Sequence, residues 1–206
     1  MGIEYEIKLR LPMRLSNLKI EKCIDGISGL THGPWSEHLQ ENTYFDSSDG
    51  GLRRDHVVLR HRRVDDLHVI TVKCRAETEG HHEWEGEFDG GSVIEALHGL
   101  NIEKNLPPLV DLMEERTLPV AVANTDYVRR RCDAEFRQSR MEIAIDRGEL
   151  ARKDRSLRFA ELEIELKSGD TQDVRDLAEQ IRRRLSLRYE RRGKYSRALA
   201  LCADED

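Results

Sequence analysis

Hydrophobic and polar residues alternate strictly in several segments of the chain, and this alternation predicts β-strands. In residues 3–11, five apolar side chains share one side, while two glutamates, a lysine and an arginine share the other. A period of two residues places successive side chains on opposite faces of a sheet. Similar patterns occur over residues 43–45, 57–62, 68–74, 83–88, 120–123, 127–136, 141–146 and 158–167. We expect about eight strands in antiparallel succession.

Helical spacing of apolar residues is confined to four segments, residues 16–30, 92–100, 171–187 and 194–201. Turn-forming residues occupy 46–51, and the pair Pro107 and Pro108 marks a loop. No linker, low-complexity tract or block of like charge divides the chain. The sequence therefore predicts an α+β fold, in a single domain that spans residues 1–204.

Composition and charge narrow the class of protein. The 206 residues are 36% charged and 38% hydrophobic, with a formal net charge of -6. A net negative charge argues against a chain built to coat nucleic acid or an anionic membrane, and no apolar run approaches the ~18 residues of a membrane span. Four cysteines without a CxxC pair favour reduced thiols, and His81 and His82 lack a third nearby zinc ligand. We therefore expect a cytoplasmic protein that binds neither nucleic acid nor membrane.

The polar faces of the strands carry two sets of charges, one of carboxylates and one of cations. For any single strand, a solvated face with weak cross-strand ion pairs would explain them. Taken together, they also suit a closed sheet with inward polar faces, because a barrel of about eight strands has room for side chains or one small ligand. The carboxylates are Glu4, Glu6, Glu83, Glu85, Asp146, Glu161, Glu163 and Glu165, and the cations are Lys8, Arg60, Arg62, Lys73, Arg129 and Arg131.

Charges inside such a sheet would require partners, because the desolvation of an unpaired ion is costly. The carboxylates are hard oxygen ligands that suit Mg²⁺ or Mn²⁺. The cations would need a compact polyanion, and a triphosphate carries about four or five negative charges on oxygens that match guanidinium groups. A metal ion together with a triphosphate would satisfy both sets.

Several motifs carry a family resemblance. Residues 4–8 read EYEIK, and further motifs follow in order: NTYFDSSD at 42–49, LRHR at 59–62, TVK at 71–73, TDY at 125–127, IAIDRGE at 143–149 and ELEIELKSGD at 161–170. The first matches the ExExK signature of the CYTH superfamily, the triphosphate tunnel metalloenzymes, and the whole set is most similar to the bacterial inorganic triphosphatase branch. Members of that branch often carry a helical CHAD domain, to which we expect no counterpart in this sequence.

The resemblance implies an eight-stranded antiparallel β-barrel with flanking helices, whose tunnel binds a triphosphate with Mg²⁺ or Mn²⁺. It implies metal ligands at Glu4, Glu6, Glu161 and Glu163. It implies substrate-binding residues at Lys8, Arg60, Arg62, Lys73, Arg129, Arg131 and Lys194, with Glu83 as a tunnel-lining acid. Catalysis would depend on Lys8, Asp146 and Glu163, with Asp146 close to the metal and the attacking water. Whether Glu83, Glu85 and Glu165 bind metal or pair with basic residues stays open.

The leading functional hypothesis is metal-dependent hydrolysis of inorganic triphosphate to diphosphate and phosphate. Hydrolysis of thiamine triphosphate and class IV-type cyclisation of ATP are alternatives, because the shared motifs bind the phosphates and do not select the organic group. A non-catalytic polyphosphate-binding module is a third hypothesis, although four carboxylates would repel its ligand. The expected partner is a small-molecule triphosphate, and the sequence leaves a monomer and a homodimer open.

Overall fold

The computed structural model describes residues 3–75, 81–104 and 119–202, and within them the α+β prediction is confirmed. The predicted loop at Pro107 and Pro108 lies outside the described residues. The strands are β1 (Ile3–Glu4), β2 (Glu6–Arg10), β3 (Leu30–His32), β4 (Ser36–Asp46), β5 (Val57–Val64), β6 (Leu67–Arg75), β7 (His81–Phe88), β8 (Val120–Phe136), β9 (Ser139–Arg152), β10 (Arg155–Ser168) and β11 (Arg188–Glu190). The α-helices are α1 (Asn17–Asp25), α2 (Gly51–Arg54), α3 (Val93–Lys104), α4 (Thr171–Leu185) and α5 (Lys194–Leu199), and a 3₁₀ turn follows at Ala200–Cys202.

The described strands form one antiparallel sheet. Its hydrogen-bonded order is β1-β7-β6-β5-β4-β8-β9-β10-β2-β11, and β3 pairs with the far end of β8. Three of the strands, β1, β3 and β11, are only two or three residues long. The remaining eight strands correspond to the eight-stranded antiparallel architecture expected from the sequence.

The two ends of the sheet are joined by the N-terminal segment. β1 pairs with β7 at one end, β2 pairs with β10 near the other, and only Tyr5 separates β1 from β2. The Leu166 amide donates a hydrogen bond to the Tyr5 carbonyl oxygen at 2.9 Å. The sheet is thus curled like a tunnel but is not closed by an unbroken ladder of hydrogen bonds, which differs from the closed sheet expected from the sequence. Chain continuity through Tyr5 joins its two ends.

Helices cover the apolar outer face of the sheet. Residues of α1 and α4 pack on β2, β9 and β10 in a cluster that includes Ile20, Leu177, Leu9, Ile143 and Leu162. On the other half, α3 packs on β5, β6 and β7. Because side chains alternate between the faces, this outward packing turns the charged faces of the same strands inward. No helix among the described residues is long and apolar enough to cross a membrane.

Two strands are longer than the sequence pattern predicts. β4 extends over Ser36–Asp46, although only residues 43–45 were expected, and β8 is one strand of 17 residues where a break at 124–126 was expected. The polar residues in these stretches pair with each other, and Asn42 lies opposite Thr125. Both are almost fully buried, and Asn42 Nδ2 donates to the Thr125 carbonyl oxygen at 2.9 Å. Tertiary pairing therefore extends strands that local alternation does not indicate.

The helix boundaries also differ from the expected ones. α1 ends at Asp25 rather than near residue 30, because Leu30 already begins β3. Part of the predicted turn at 46–51 leads into the short helix α2, where the Asp46 carboxylate accepts a hydrogen bond from the Leu52 amide at 2.9 Å. The loop between β4 and β5 is thereby ordered by a buried acid.

Candidate metal and phosphate site

Strand register brings several predicted site residues together on the inward face of β2, β8, β9 and β10. Glu163 on β10 lies opposite Lys8 on β2. Asp146 on β9 lies opposite Glu161 on one side and Arg129 on the other. Residues opposite one another in antiparallel strands share a face, so these five side chains converge.

Asp146, Glu161 and Glu163 form a buried cluster, here called the acidic trio. One carboxylate oxygen from each lies within 4.8 Å of the others. The Lys194 ammonium lies between them, with Nζ 2.7 Å from Asp146 Oδ2, 2.5 Å from Glu161 Oε1 and 2.8 Å from Glu163 Oε1. A single lysine therefore contacts all three members of the trio.

Two arginines also bind the acidic trio. Arg129 donates Nε and Nη2 to the Asp146 carboxylate at 2.8 and 2.7 Å, and it also contacts Glu163. Arg197 contacts Glu161 from the same helix as Lys194. The bidentate bond between Arg129 and Asp146 fixes the plane of that carboxylate.

Lys8 joins the cluster from β2. Its Nζ lies 3.7 Å from Glu163 Oε1, and it also contacts Glu6. Burial alone would lower the pKa of Lys8, but Glu6 and Glu163 raise it above its ordinary value. Lys8 is thus charged, and it contacts one predicted metal ligand from each pair, Glu6 and Glu163.

The surrounding cations hold Glu163 of the acidic trio in its charged form. Burial would raise the pKa of Glu163, yet Lys194, Lys8 and Arg129 hold it well below its ordinary value. Burial also opposes the charge on Lys194, but the three carboxylates raise its pKa well above the usual range. Glu161 differs, because burial raises its pKa despite Lys194 and Arg197. These charges compensate one another inside the sheet.

Two aromatic rings pack against the Lys194 ammonium. Its Nζ lies 4.8 Å from the Tyr127 ring centroid and 5.6 Å from that of Phe159, distances at which a cation is attracted to the ring face. The Tyr127 hydroxyl donates a hydrogen bond to Gln40 Oε1 at 2.8 Å. Next to Lys194, Tyr195 stacks on Tyr44 with ring centroids 5.1 Å apart. These contacts hold α5 against the inward face.

A second charged cluster lies on β1, β5, β6 and β7. Lys73 contacts Glu4, and its Nζ is 3.4 Å from Glu83 Oε2. Arg60 Nη2 is 3.2 Å from both Glu83 Oε1 and Glu85 Oε1. Burial raises the pKa of Glu4 to about 8, and its hydrogen bond with Glu83 adds to the effect. That hydrogen bond and the nearby cations instead lower the pKa of Glu83 against the effect of burial.

The two remaining predicted cations also reach inward polar groups. Arg62 Nε donates to Asn42 Oδ1 at 3.3 Å, and Arg131 Nη1 donates to Glu142 Oε2 at 2.6 Å. Glu165, whose role the sequence left open, lies with Oε1 2.7 Å from Lys167 Nζ. In this structure Glu83, Glu85 and Glu165 each pair with a basic residue.

The acidic trio fits a hard divalent cation by its chemistry. It offers three carboxylates, and buried Glu161 Oε1 accepts no well-formed hydrogen bond although the Lys194 ammonium faces it. Carboxylate oxygens are the ligands that Mg²⁺ and Mn²⁺ prefer. Of the four predicted ligands, the structure places Glu161 and Glu163 in the trio, with Asp146 as its third member. Glu4 and Glu6 contact Lys73 and Lys8 instead, and their role as metal ligands stays a prediction.

Two residues in the site were missed by sequence analysis. Arg197 contacts Glu161, and its spacing of three residues from Lys194 in a helix places the two on one side. Glu142 binds Arg131, and it follows the same alternation as Asp146, four residues further along β9. Both signals were present, but neither residue stands out until the neighbouring strands and helix are in place.

A sequence model of the CYTH domain matches residues 2–198 of the chain. An inorganic triphosphatase from Haemophilus influenzae is 30% identical in an alignment of 151 positions, and the match covers 67% of this chain and 39% of that relative. The chain thus matches about two-fifths of the length of this curated relative. All of the motifs quoted from the sequence, from residues 4–8 to 161–170, lie within the region that the family model matches.

Solved structures show the same fold. HpAC1 from Hippeastrum, described as a candidate adenylyl cyclase with a dominant triphosphatase activity, superimposes with a TM-score of 0.62 at 21% identity and 96% coverage of both chains. A candidate adenylate cyclase from Bacillus halodurans gives a TM-score of 0.57 at 17% identity, covering 95% of this chain and 96% of its own. With the family match over residues 2–198, we conclude that this chain belongs to the CYTH domain family.

Proposed function

We propose that the protein hydrolyses a triphosphate in a metal-dependent reaction, with inorganic triphosphate as the substrate and diphosphate and phosphate as the products. The observation that carries this proposal is the inward face of the sheet, which carries cations on both halves together with a buried acidic trio. The cations are Lys8, Arg60, Arg62, Lys73, Arg129, Arg131 and Lys194.

The charges suit a triphosphate better than a smaller anion. Seven cations from five different elements face one interior, and a triphosphate with about four or five negative charges can engage several of them at once. Three of the cations, Arg60, Lys73 and Arg129, are already oriented by carboxylates one or two strands away. Side chains that are held in place in advance lose less conformational entropy on binding.

The acidic trio supplies the complementary part of the reaction. Asp146, Glu161 and Glu163 would hold Mg²⁺ or Mn²⁺, which polarises a phosphoryl oxygen and draws charge from the transferring group when bound. Asp146 would orient the attacking water, because its carboxylate is fixed by Arg129 close to the trio. Lys8 and Arg129 would stabilise the negative charge on the transferring phosphoryl group. Water attack on the terminal phosphorus releases phosphate and leaves diphosphate.

The relatives support hydrolysis as the reaction class. The 30% identical relative from Haemophilus influenzae is an inorganic triphosphatase, and a dominant triphosphatase activity is described for HpAC1. Thiamine triphosphate and ATP remain the alternative substrates, since the cations bind phosphates whatever group is attached to them. Binding without catalysis is less well supported, because a pure anion-binding module gains nothing from three buried carboxylates.

The test is a comparison of inorganic triphosphate, thiamine triphosphate and ATP as substrates. Phosphate release is measured with Mg²⁺, with Mn²⁺ and with a chelator, and cyclic AMP is measured in the ATP reactions. We expect fast, chelator-sensitive release from inorganic triphosphate and slow release from the other two. Faster release from thiamine triphosphate, or formation of cyclic AMP, would replace the substrate assignment. Absence of turnover with all three would contradict the proposed function.

A further inference from the structure

The Lys194 ammonium fills the centre of the acidic trio. Its contacts of 2.5–2.8 Å reach one oxygen of each carboxylate. The trio offers one oxygen from each carboxylate within 4.8 Å of the others, and a cation that bridges all three would lie between them. Mg²⁺ binds oxygen at about 2.0–2.1 Å, so an ion held by all three carboxylates would lie where Nζ lies now. The lysine and a divalent cation cannot occupy this position together.

The ion pairs of the trio limit how a further cation can enter. Its three carboxylates contact four cations, Lys194, Arg129, Arg197 and Lys8. Three of these cations also contact a carboxylate outside the trio, and Lys194 is the one that contacts all three of its members. A divalent cation that takes the place of Lys194 leaves a buried ammonium without its partners, which is costly. A polyanion that binds at the same time supplies new partners for it.

Lys194 is the cation best suited to leave the trio. It is the first residue of α5 and follows Gly193, which has no side chain to restrict the preceding backbone. The helix itself is anchored by buried Tyr195 and Ala198, so the four-carbon stem of Lys194 can change rotamer while α5 stays docked. Arg129 is more constrained, because both its Nε and its Nη2 bind Asp146.

We propose that Lys194 and the divalent cation compete for the acidic trio, and that Lys194 moves from the carboxylates to the triphosphate when the metal binds. This inference rests on the proposed function. It assigns two partners to one side chain. Without metal and triphosphate, Lys194 pairs with the carboxylates of the trio; when both have bound, it becomes a phosphate ligand. Metal and triphosphate then bind cooperatively, because each removes a group that competes with the other.

Calorimetric titration of the protein with Mn²⁺ alone tests the competition without any turnover. Lys194→Gln removes the charge, so we expect it to bind Mn²⁺ at least about fivefold more tightly than the wild type. Lys194→Arg keeps the charge, so its affinity is expected to stay close to that of the wild type. Arg192→Gln is the matched control, because it removes an exposed charge two residues away and leaves the trio unchanged. Equal Mn²⁺ affinities in Lys194→Gln and the wild type would overturn the inference.

A second measurement uses the wild-type protein and does not depend on the folding of Lys194→Gln. The Nζ signals of ¹⁵N-labelled lysines are followed by NMR, and the Lys194 signal is assigned by its loss in Lys194→Arg. We expect Mg²⁺ with imidotriphosphate, a triphosphate analogue with nitrogen in its bridges, to shift this signal. A Lys194 signal that stays unchanged while both ligands bind would overturn the inference and leave the proposed function standing. Failure of the analogue to bind at all would contradict the proposed function itself.

Discussion

Glu163 is the residue on which the charges of the site converge. It contacts Lys194, Arg129 and Lys8, and these cations keep its carboxylate ionised despite burial. Glu163→Gln keeps the shape of the side chain and removes the charge. We expect turnover of inorganic triphosphate to fall by about 100-fold or more, because the proposed metal site would lose a ligand and three cations would lose their common partner. Phosphate release measured on protein with an unchanged circular dichroism spectrum checks this.

Glu149→Gln is the matched control for this variant. Glu149 is exposed on the outer face of β9 and does not contact the trio. Its substitution by glutamine removes one negative charge, as Glu163→Gln does. We expect its turnover to equal that of the wild type. Equal losses in the two variants would show that net charge, and not the position of Glu163, determines the effect.

Gly148 on β9 allows this strand to lie close to β8, where it is opposite Tyr127. A Cβ atom there would lie 2.0 Å from the Asp126 carbonyl oxygen and 2.4 Å from Tyr127 Cβ, distances that real side chains do not adopt. Gly148→Ala should therefore lower the free energy of unfolding by about 2 kcal/mol or more. A Cβ atom at Gly99 in α3 would meet no other atom within 4 Å. Gly99→Ala should therefore raise the free energy of unfolding by about 0.5–1 kcal/mol. Urea denaturation of both variants checks the pair, and a loss no larger in Gly148→Ala than in Gly99→Ala would contradict the steric argument.

At the scale of elements, α5 is anchored by Tyr195. Its ring is buried against Tyr44, and its hydroxyl has no hydrogen-bond partner among the described residues. Burial also raises the pKa of Tyr195 to about 12, so the hydroxyl stays protonated. Tyr195→Phe should leave the free energy of unfolding unchanged or raise it by up to about 1 kcal/mol, whereas Tyr195→Ala should lower it by about 3 kcal/mol.

Thermal and urea unfolding of these two variants distinguishes ring packing from hydrogen bonding. Turnover is expected to survive in Tyr195→Phe and to fall in Tyr195→Ala, since the displaced helix no longer places Lys194. A loss of more than about 1 kcal/mol in Tyr195→Phe would mean that the hydroxyl has a stabilising partner.

The contact between α1 and β3 makes stability depend on pH. His32 Nε2 lies 2.8 Å from Asp25 Oδ1, and its Nδ1 lies 2.7 Å from the Gly33 carbonyl oxygen. The hydrogen bond with Asp25, followed by that with Gly33, raises the pKa of His32. A pKa that is higher in the folded state gives stability that is complete below about pH 6.5, the unfolded value, and is lost as pH rises through the folded value.

His32→Gln should therefore reduce the free energy of unfolding more at pH 5.5 than at pH 8.5. Urea denaturation of the wild type and the variant at both pH values gives this difference. Asp25→Asn should remove most of the pH dependence while His32 is still present. An equal loss in free energy of unfolding on His32→Gln at pH 5.5 and pH 8.5 would contradict the raised pKa of His32.

Sequence patterning predicts the elements with an amphipathic face well and the evenly polar ones poorly. Alternation places β10 and the carboxylates of Glu161 and Glu163 correctly, because one face is apolar and the other charged. It misses the first half of β4, where Gln40 and Asn42 are buried polar residues whose partners lie on other strands. Such residues are satisfied only after the sheet has formed, so local sequence contains no signal for them.

At the scale of the whole molecule, the N-terminal segment determines the site. Strand β1 lies at one end of the path of hydrogen bonds and β2 lies next to the last strand at the other, although only Tyr5 separates them in the chain. Glu4 therefore faces the cluster around Lys73, while Lys8 faces the acidic trio. The ExExK motif predicts that these residues act together, and the structure shows how one short segment connects the two charged clusters of the curled sheet.

The division of the carboxylates between the two clusters is what sequence alone does not reveal. The motif groups Glu4 and Glu6 with Glu161 and Glu163, whereas in the structure the trio is completed by Asp146 and filled by Lys194. Which carboxylate pairs with which cation depends on strand register and on the docking of α5, and both are properties of the whole fold.

The most direct test of the account is ³¹P NMR of inorganic triphosphate incubated with the protein and Mg²⁺. We predict that the triphosphate signals disappear and that diphosphate and phosphate appear in equal amounts. Excess chelator, or replacement of the wild type by Glu163→Gln, should leave the triphosphate intact over the same period. An unchanged triphosphate spectrum with folded wild-type protein, or cleavage that continues in the presence of the chelator, would contradict the central claim.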